Sequence, residues 1–169
     1  MKDEMSEMGE MGDRVALVTG GSSGIGKATA MAFAALGAKV AIASRTQTTG
    51  EAVARAIREA GGEAMWIQAD VSDAAQVASM VGQVVDAYGR LDWAFNNAGS
   101  GGKGGWVPEI QEEDWDKTIA GYLKSVWLCM KHEIPRCSSW AAARSSTPPP
   151  WMGSGAFPGI RPIRLPSTA

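Results

Sequence analysis

Thr19 to Gly26, TGGSSGIG, is the segment of this 169-residue chain whose residue types most directly imply chemistry. It lies between the apolar run VALVT and a stretch with helical spacing, so its glycines fall where a strand must turn into a helix. Gly20 permits the sharp turn, while Gly24 and Gly26 leave out Cβ atoms where a dinucleotide backbone and the neighbouring strand must approach the helix. The free N–H groups at the helix start, around Gly24, Ile25 and Gly26, then face a pyrophosphate, with Ser22 and Ser23 as further donors. The competing reading is a glycine-rich turn that binds nothing. Against it stands the context of a strand before, a helix after and a second strand at the right distance.

The elements that must position this loop follow from periodicity. VALVT reads as a buried parallel strand, Lys39 to Ser44 as the second and Ala64 to Ala69 as the third. Leu91 to Phe95 reads as the fourth. Between them, Gly26 to Leu36 and Glu51 to Ala60 carry apolar residues at three- and four-residue spacing, closed by Gly37 and by Gly61 and Gly62. Ser72 or Asp73 caps a helix that reaches Tyr88. A last helix is expected from Glu112 to Glu133, with Trp115, Ile119, Leu123, Val126, Trp127 and Met130 on one stripe and Pro135 ending it. Strands alternating with helices give an α/β fold, a doubly wound parallel sheet of about four strands in order 3-2-1-4, incomplete because no fifth strand is expected.

With the glycine loop in this setting, the sequence resembles the classical short-chain dehydrogenase/reductase family, whose cofactor motif is T-G-x-x-x-G-x-G. Further matches fall in the family's order. Asp70-Val71 closes the third strand, where the resemblance implies an adenine contact, and Asn96-Asn97-Ala98-Gly99 closes the fourth, matching N-N-A-G. Asp114 to Pro135 resembles the family's next helix. Taken singly, Asp70 as a helix cap and Asn97 as a turn residue would be the simpler readings. The resemblance implies a Rossmann-like fold, a nicotinamide dinucleotide at Gly20, Ser22, Ser23, Gly24, Ile25, Gly26, Asp70, Val71, Asn97, Ala98 and Gly99, and interconversion of a secondary alcohol and a carbonyl. At the end of the second strand stands Ser44-Arg45 with no acid. A guanidinium pairs bidentately with a 2′-phosphate, so NADP(H) is favoured over NAD(H). The alternative is that Arg45 begins a solvated loop.

The catalytic half departs from the family, in which a Ser, a Tyr and a Lys four residues after the Tyr perform the chemistry. Here Tyr88 and Tyr122 are the two tyrosines, neither is followed by Lys at that spacing, and no lysine follows Lys131. Tyr122 also occupies the place of the family's helical Asn, where it reads as packing rather than as a substitute acid. No catalytic residue is therefore assigned. Residues 136–169 differ in kind: up to Pro135 the chain is net −6, whereas the tail holds four Arg, no acid and most of the prolines. A shift of reading frame accounts for this. Permitted codons for Arg136 to Trp151, read two bases along, encode MLKLGGGAIVNTSSM, and those for Gly159 to Thr168 give HPAYSASKH in the same phase. The first resembles the family's fifth strand with its Ser; the second contains Y-x-x-x-K.

The expected organisation is a flexible leader over 1–12, a dinucleotide-binding region over 13–135 and an irregular, frameshifted tail over 136–169. The intact protein reads as an oxidoreductase acting on a small-molecule alcohol or ketone, and this chain as its truncated form; a catalytically inactive nucleotide-binding or oligomerising fragment is the alternative. A net charge of −2 asks for neither nucleic acid nor an anionic membrane, and no apolar run approaches a bilayer span. Cys129 and Cys137 lack metal-ligand company, and with no signal peptide the cytoplasm is the expected compartment. The family forms homo-oligomers, which are doubtful for this chain.

Overall fold

The computed structural model describes residues 11–137, and in it four parallel strands form one sheet in the order β3-β2-β1-β4. The strands are β1 Val15–Thr19, β2 Lys39–Ser44, β3 Ala64–Gln68 and β4 Trp93–Asn96. Helices α1 Gly24–Ala35, α2 Gln47–Glu59 and α3 Ala74–Tyr88 connect them, and α4 Glu112–Ile119 and α5 Ser125–Glu133 follow β4. The whole of β1 is buried because both faces of the sheet are covered. One face joins Val15, Leu17, Ala41 and Ala43 to Val77, Met80 and Val84 of α3 and to Leu128 and Cys129 of α5. The other joins Val18, Val40 and Ile42 to Ala30 of α1 and to Val53 and Ile57 of α2. Odd and even residues of the same strands thus point into different cores, as the two-residue period of a strand requires.

Several boundaries differ from the periodic reading, each for a local reason. Helix α1 starts at Gly24, and α2 starts at Gln47, before its first apolar residue. The α2 start is held by packing that periodicity does not show: Gly50 sits against the indole of Trp66, whose Nε1–H donates to Ser44 Oγ at 2.9 Å. Between the two possible caps of α3, Asp73 is the one used; its carboxylate accepts the Ala75 and Gln76 amides at 2.8 and 3.1 Å. Those bonds favour the ionised form and lower its pKa. The long helix over 112–133 is one rod interrupted by a π-helical turn at Ala120–Lys124, which divides α4 from α5.

The chain also returns to the sheet where no further strand was expected. Leu91 and Cys137 form an isolated parallel bridge. Because Asp92 donates its amide to Val15 O, the neighbouring Leu91 directs its backbone away from β1, toward that bridge. Of the leader, Met11 accepts the Arg14 amide in a turn. The leader before it and the tail after Cys137 lie outside the described residues, as do the readings made of them. Among the described residues no helix is long and apolar enough to cross a membrane, and no cluster could hold a metal ion.

At the end of the sheet where β1 begins, Asp92 replaces the first expected residues of β4 with a polar clasp. Its carboxylate accepts Val15 N–H at 2.9 Å and Arg90 Nε and Nη2 at 2.8 and 2.6 Å, while its side chain is almost wholly buried. Asp92→Ala leaves the buried Val15 amide without that acceptor, and is expected to lower stability by roughly 2–3 kcal/mol, read as a shift of the urea midpoint. A midpoint within experimental error of the parent would show that the clasp contributes nothing.

Candidate nucleotide-binding site

Between β1 and β4 the strand order reverses direction, and at such a point the carboxyl ends of adjacent strands leave a crevice. Four hydrogen bonds hold this one open in a fixed shape. The hydroxyl of Thr19, at the end of β1, accepts both the Asn97 and Ala98 amides at 3.1 Å. In return, the Asn97 side-chain amide donates to the carbonyls of Thr19 and Gly20 at 3.3 and 3.4 Å. Gly20 itself has φ +67°, and a Cβ there would lie 2.9 Å from both Ala98 Cα and Asn97 Nδ2. A Cβ on Gly26 would meet the Gly20 carbonyl and lie 2.7 Å from Asn97 Nδ2. Gly20 is therefore required by the close approach of the loop after β4, and Gly26 by the packing of α1 against the turn and Asn97.

The resulting cleft has a volume of about 270 Å³. Its walls are Gly20, Ser22 and Ser23 after β1, Arg45 and Thr46 after β2, Asp70 and Val71 after β3, and Asn97, Ala98, Gly99 and Ser100 after β4. The expected residues Gly24, Ile25 and Gly26 do not line it: Gly26 is buried beneath the turn, Gly24 has φ +52° with open space beside it, and the Ile25 side chain is 71% exposed. Ser23 is the N-cap of α1 without a side-chain hydrogen bond to the helix, so no side chain caps the first amides of α1. The walls contributed by Ala43, Ser44, Thr46, Ala69 and Ser100 were not expected from sequence. Nothing in their residue types sets them apart, and the signal that could have found them is adjacency to expected residues at strand ends.

Electrostatically the cleft is mixed. Arg45 is exposed and makes no ion pair among the described residues. Its carbonyl accepts from the Gln68 side chain at 3.3 Å, which ties the start of that loop to β3. Asp70 accepts both the amide and the hydroxyl of Ser72, at 2.9 and 2.7 Å, and these bonds, aided by the charge of Arg45, lower its pKa. Tyr122 stands at the far wall: its ring covers Gly99 so closely that a Cβ there would collide with it, and it is 58% exposed. On the same turn, Gly121 abuts the Ser100 carbonyl. The π-helical turn is thus the surface onto which the loop after β4 is laid.

Residues 14–143 match the family model for the short chain dehydrogenases, and the chain belongs to that family. Among its relatives, a 3beta-hydroxysteroid dehydrogenase of Mediterraneibacter gnavus is 38% identical over 127 residues, which are 75% of this chain and 46% of that protein. A metagenomic short-chain oxidoreductase crystallised with NADP superposes with a TM-score of 0.71 at 38% identity, covering 75% of this chain and 57% of that one. A short-chain dehydrogenase/reductase from Burkholderia phymatum crystallised with NAD gives 0.72 at 31% identity, covering 76% and 45%. The chain spans about half the length of the curated relatives it matches.

Proposed function

We propose that this chain is the nucleotide-holding half of an NADP(H)-dependent oxidoreductase that, when intact, interconverts a secondary alcohol and a carbonyl. The observation that carries the reading is the cradle formed by Gly20, Gly26, Thr19 and Asn97, which leaves the amides of α1 without a side-chain cap beside the cleft. A pyrophosphate suits that end of a helix, where partial positive charge and unused donors coincide. Ser22 and Ser23 add hydroxyl donors. The proposed binding set is the one named from sequence, with Gly24 and Gly26 acting through the shape of the turn and Ile25 through its backbone amide alone. Arg45 lines the cleft, exposed and without an ion pair among the described residues; a guanidinium there would pair with a 2′-phosphate, which supports the reading of NADP(H) over NAD(H). Asp70 and Val71 form the adenine side, and Asn97, Ala98 and Gly99 the side toward the nicotinamide.

When bound, the nicotinamide supplies the hydride. The protein's part is to hold the ring and to move a proton at the substrate oxygen, and for the second task the sequence offers no Tyr-x-x-x-Lys. Tyr122 occupies itself with Gly99 and Gly101. The 169-residue form is accordingly proposed to bind nucleotide without turning over, as a truncated product whose residues after about Pro135 are translated in a shifted frame. Genomic DNA across codons 130 to 169 tests the frame, and titration with NADPH and NADH tests the site. A reading of the tail codons that lacks both the Ser-bearing strand and Y-x-x-x-K in the second phase would remove the frameshift. A cytoplasmic location and a small-molecule alcohol or ketone as partner are likewise proposed, with the family resemblance as their support.

A further inference from the structure

Two buried side-chain atoms among the described residues have no hydrogen-bond partner, Asn96 Oδ1 and Glu133 Oε1. They belong to the same pair of side chains. Asn96 ends β4, Glu133 ends α5, and the Asn96 amide donates to Glu133 Oε2 at 2.8 Å. Glu133 is 4% exposed. As a carboxylate facing a primary amide it would leave two acceptors desolvated with no donor for either. As a neutral acid it carries one O–H, and an acid and an amide then close a ring of two hydrogen bonds, N–H to one oxygen and O–H to the other.

We propose that Glu133 is held as the neutral acid and donates its Oε1–H to Asn96 Oδ1, and that this pair of hydrogen bonds fixes the wall of the nucleotide cleft. Glu133 is a positioning residue: it touches Asn96, and the next residues, Asn97 to Gly99, line the cleft. The inference rests on the nucleotide reading for its functional consequence, though not for the state of the carboxyl. Its surroundings agree. Burial raises the pKa of Glu133, the Asn96 bond lowers it less, and no cation is among the causes. From α3 the packed side chains are Val77, Met80, Val81 and Val84; of that helix's titratable groups Asp86 is exposed and Tyr88 is pushed up to about 12. On α5, Cys129 is buried and its thiol is pushed up chiefly by that burial, while Lys131 is exposed and His132 half-buried. From the β4 side, Asp92 is engaged by Arg14 and Arg90.

An acid whose pKa is raised by folding adds stability that is complete below its unfolded pKa and is lost as pH rises through the folded value. Glu133→Gln copies the neutral acid, since an amide can donate and accept across the same ring. With the full 169-residue chain, the difference infrared spectrum between parent and E133Q at about pH 6 is expected to contain a protonated-carboxyl C=O band contributed by Glu133. From about pH 5 to about pH 9 the parent is expected to lose roughly 5 °C of Tm relative to E133Q. Its Kd for NADPH should rise by about tenfold relative to E133Q over the same range. Every other ionisable group is common to both chains, so the difference isolates Glu133. A carboxylate band in place of the acid band, or an E133Q chain less stable than E133A, overturns the proposal. Failure of NADPH to bind either chain, with the acid band and the Tm difference present, supports the neutral pair and counts against the nucleotide reading alone.

Discussion

Mixed with NADPH and a simple ketone, the 169-residue chain is expected to oxidise the cofactor no faster than the protein-free control. The proposed half-site can hold nucleotide, but reduction of a carbonyl also needs a proton delivered to the developing alkoxide. A positioned general acid contributes about 10²–10⁴-fold on its own, and the orientation of the substrate is lost together with it. Tyr122 is not expected to replace it, since its ring lies over Gly99 and Gly101 on a helical turn. On the proposed shifted frame, a protein expressed with the second phase restored after about codon 135 should regain turnover by at least that factor. Steady NADPH oxidation by the chain as it stands, abolished in Tyr122→Phe, would make Tyr122 the acid and contradict the assignment.

The second large effect concerns stability. Trp115, Leu123 and Trp127 are 58%, 66% and 54% exposed on the α4–α5 rod, and Trp106 and Val107 before it are more exposed still. Fully burying such side chains is worth roughly 1.5–3 kcal/mol each, against a total of about 5–15 kcal/mol for a whole domain. A chain that leaves several of them in water is expected to bind a hydrophobic dye, to associate with rising concentration and to melt through a lower and broader transition than a chain in which they are covered. Restoring the proposed second phase should reduce dye binding and sharpen and raise the melt. A monodisperse chain with a sharp transition and no dye signal would show that this surface is covered in the protein as given.

Legibility of the fold followed the range of the interactions involved. The strands themselves, the turn at Gly20 and the helix after it were readable because each is set by residues adjacent in sequence: a β-branched run, a glycine with positive φ, a three-to-four-residue apolar period; the strand order followed from the doubly wound class that their alternation with helices implied. The start of α2 was hidden because Gly50 packs under Trp66, sixteen residues later, and glycine leaves no apolar mark. Long-range polar pairs were silent for the same reason. Asp92 with the Val15 amide, and Asn96 with Glu133, join residues 77 and 37 apart, and neither member has an unusual type at its position. The π-helical turn was invisible to a period of 3.6, since it adds a residue without breaking the apolar stripe. In the cleft, the glycine, serine, arginine and asparagine walls were legible by chemistry, and the Ala43, Thr46 and Ser100 walls were not.

The proposed hold on a dinucleotide, with its 2′-phosphate paired to Arg45, is decided by titration of cofactor fluorescence. A charge-assisted bidentate pair is worth about 1.5–3 kcal/mol, so NADPH should bind roughly 10–100-fold more tightly than NADH, and Arg45→Asp should reverse the order. Equal affinity for the two cofactors, left unchanged by Arg45→Asp, would contradict the recognition, and no binding of either would contradict the site.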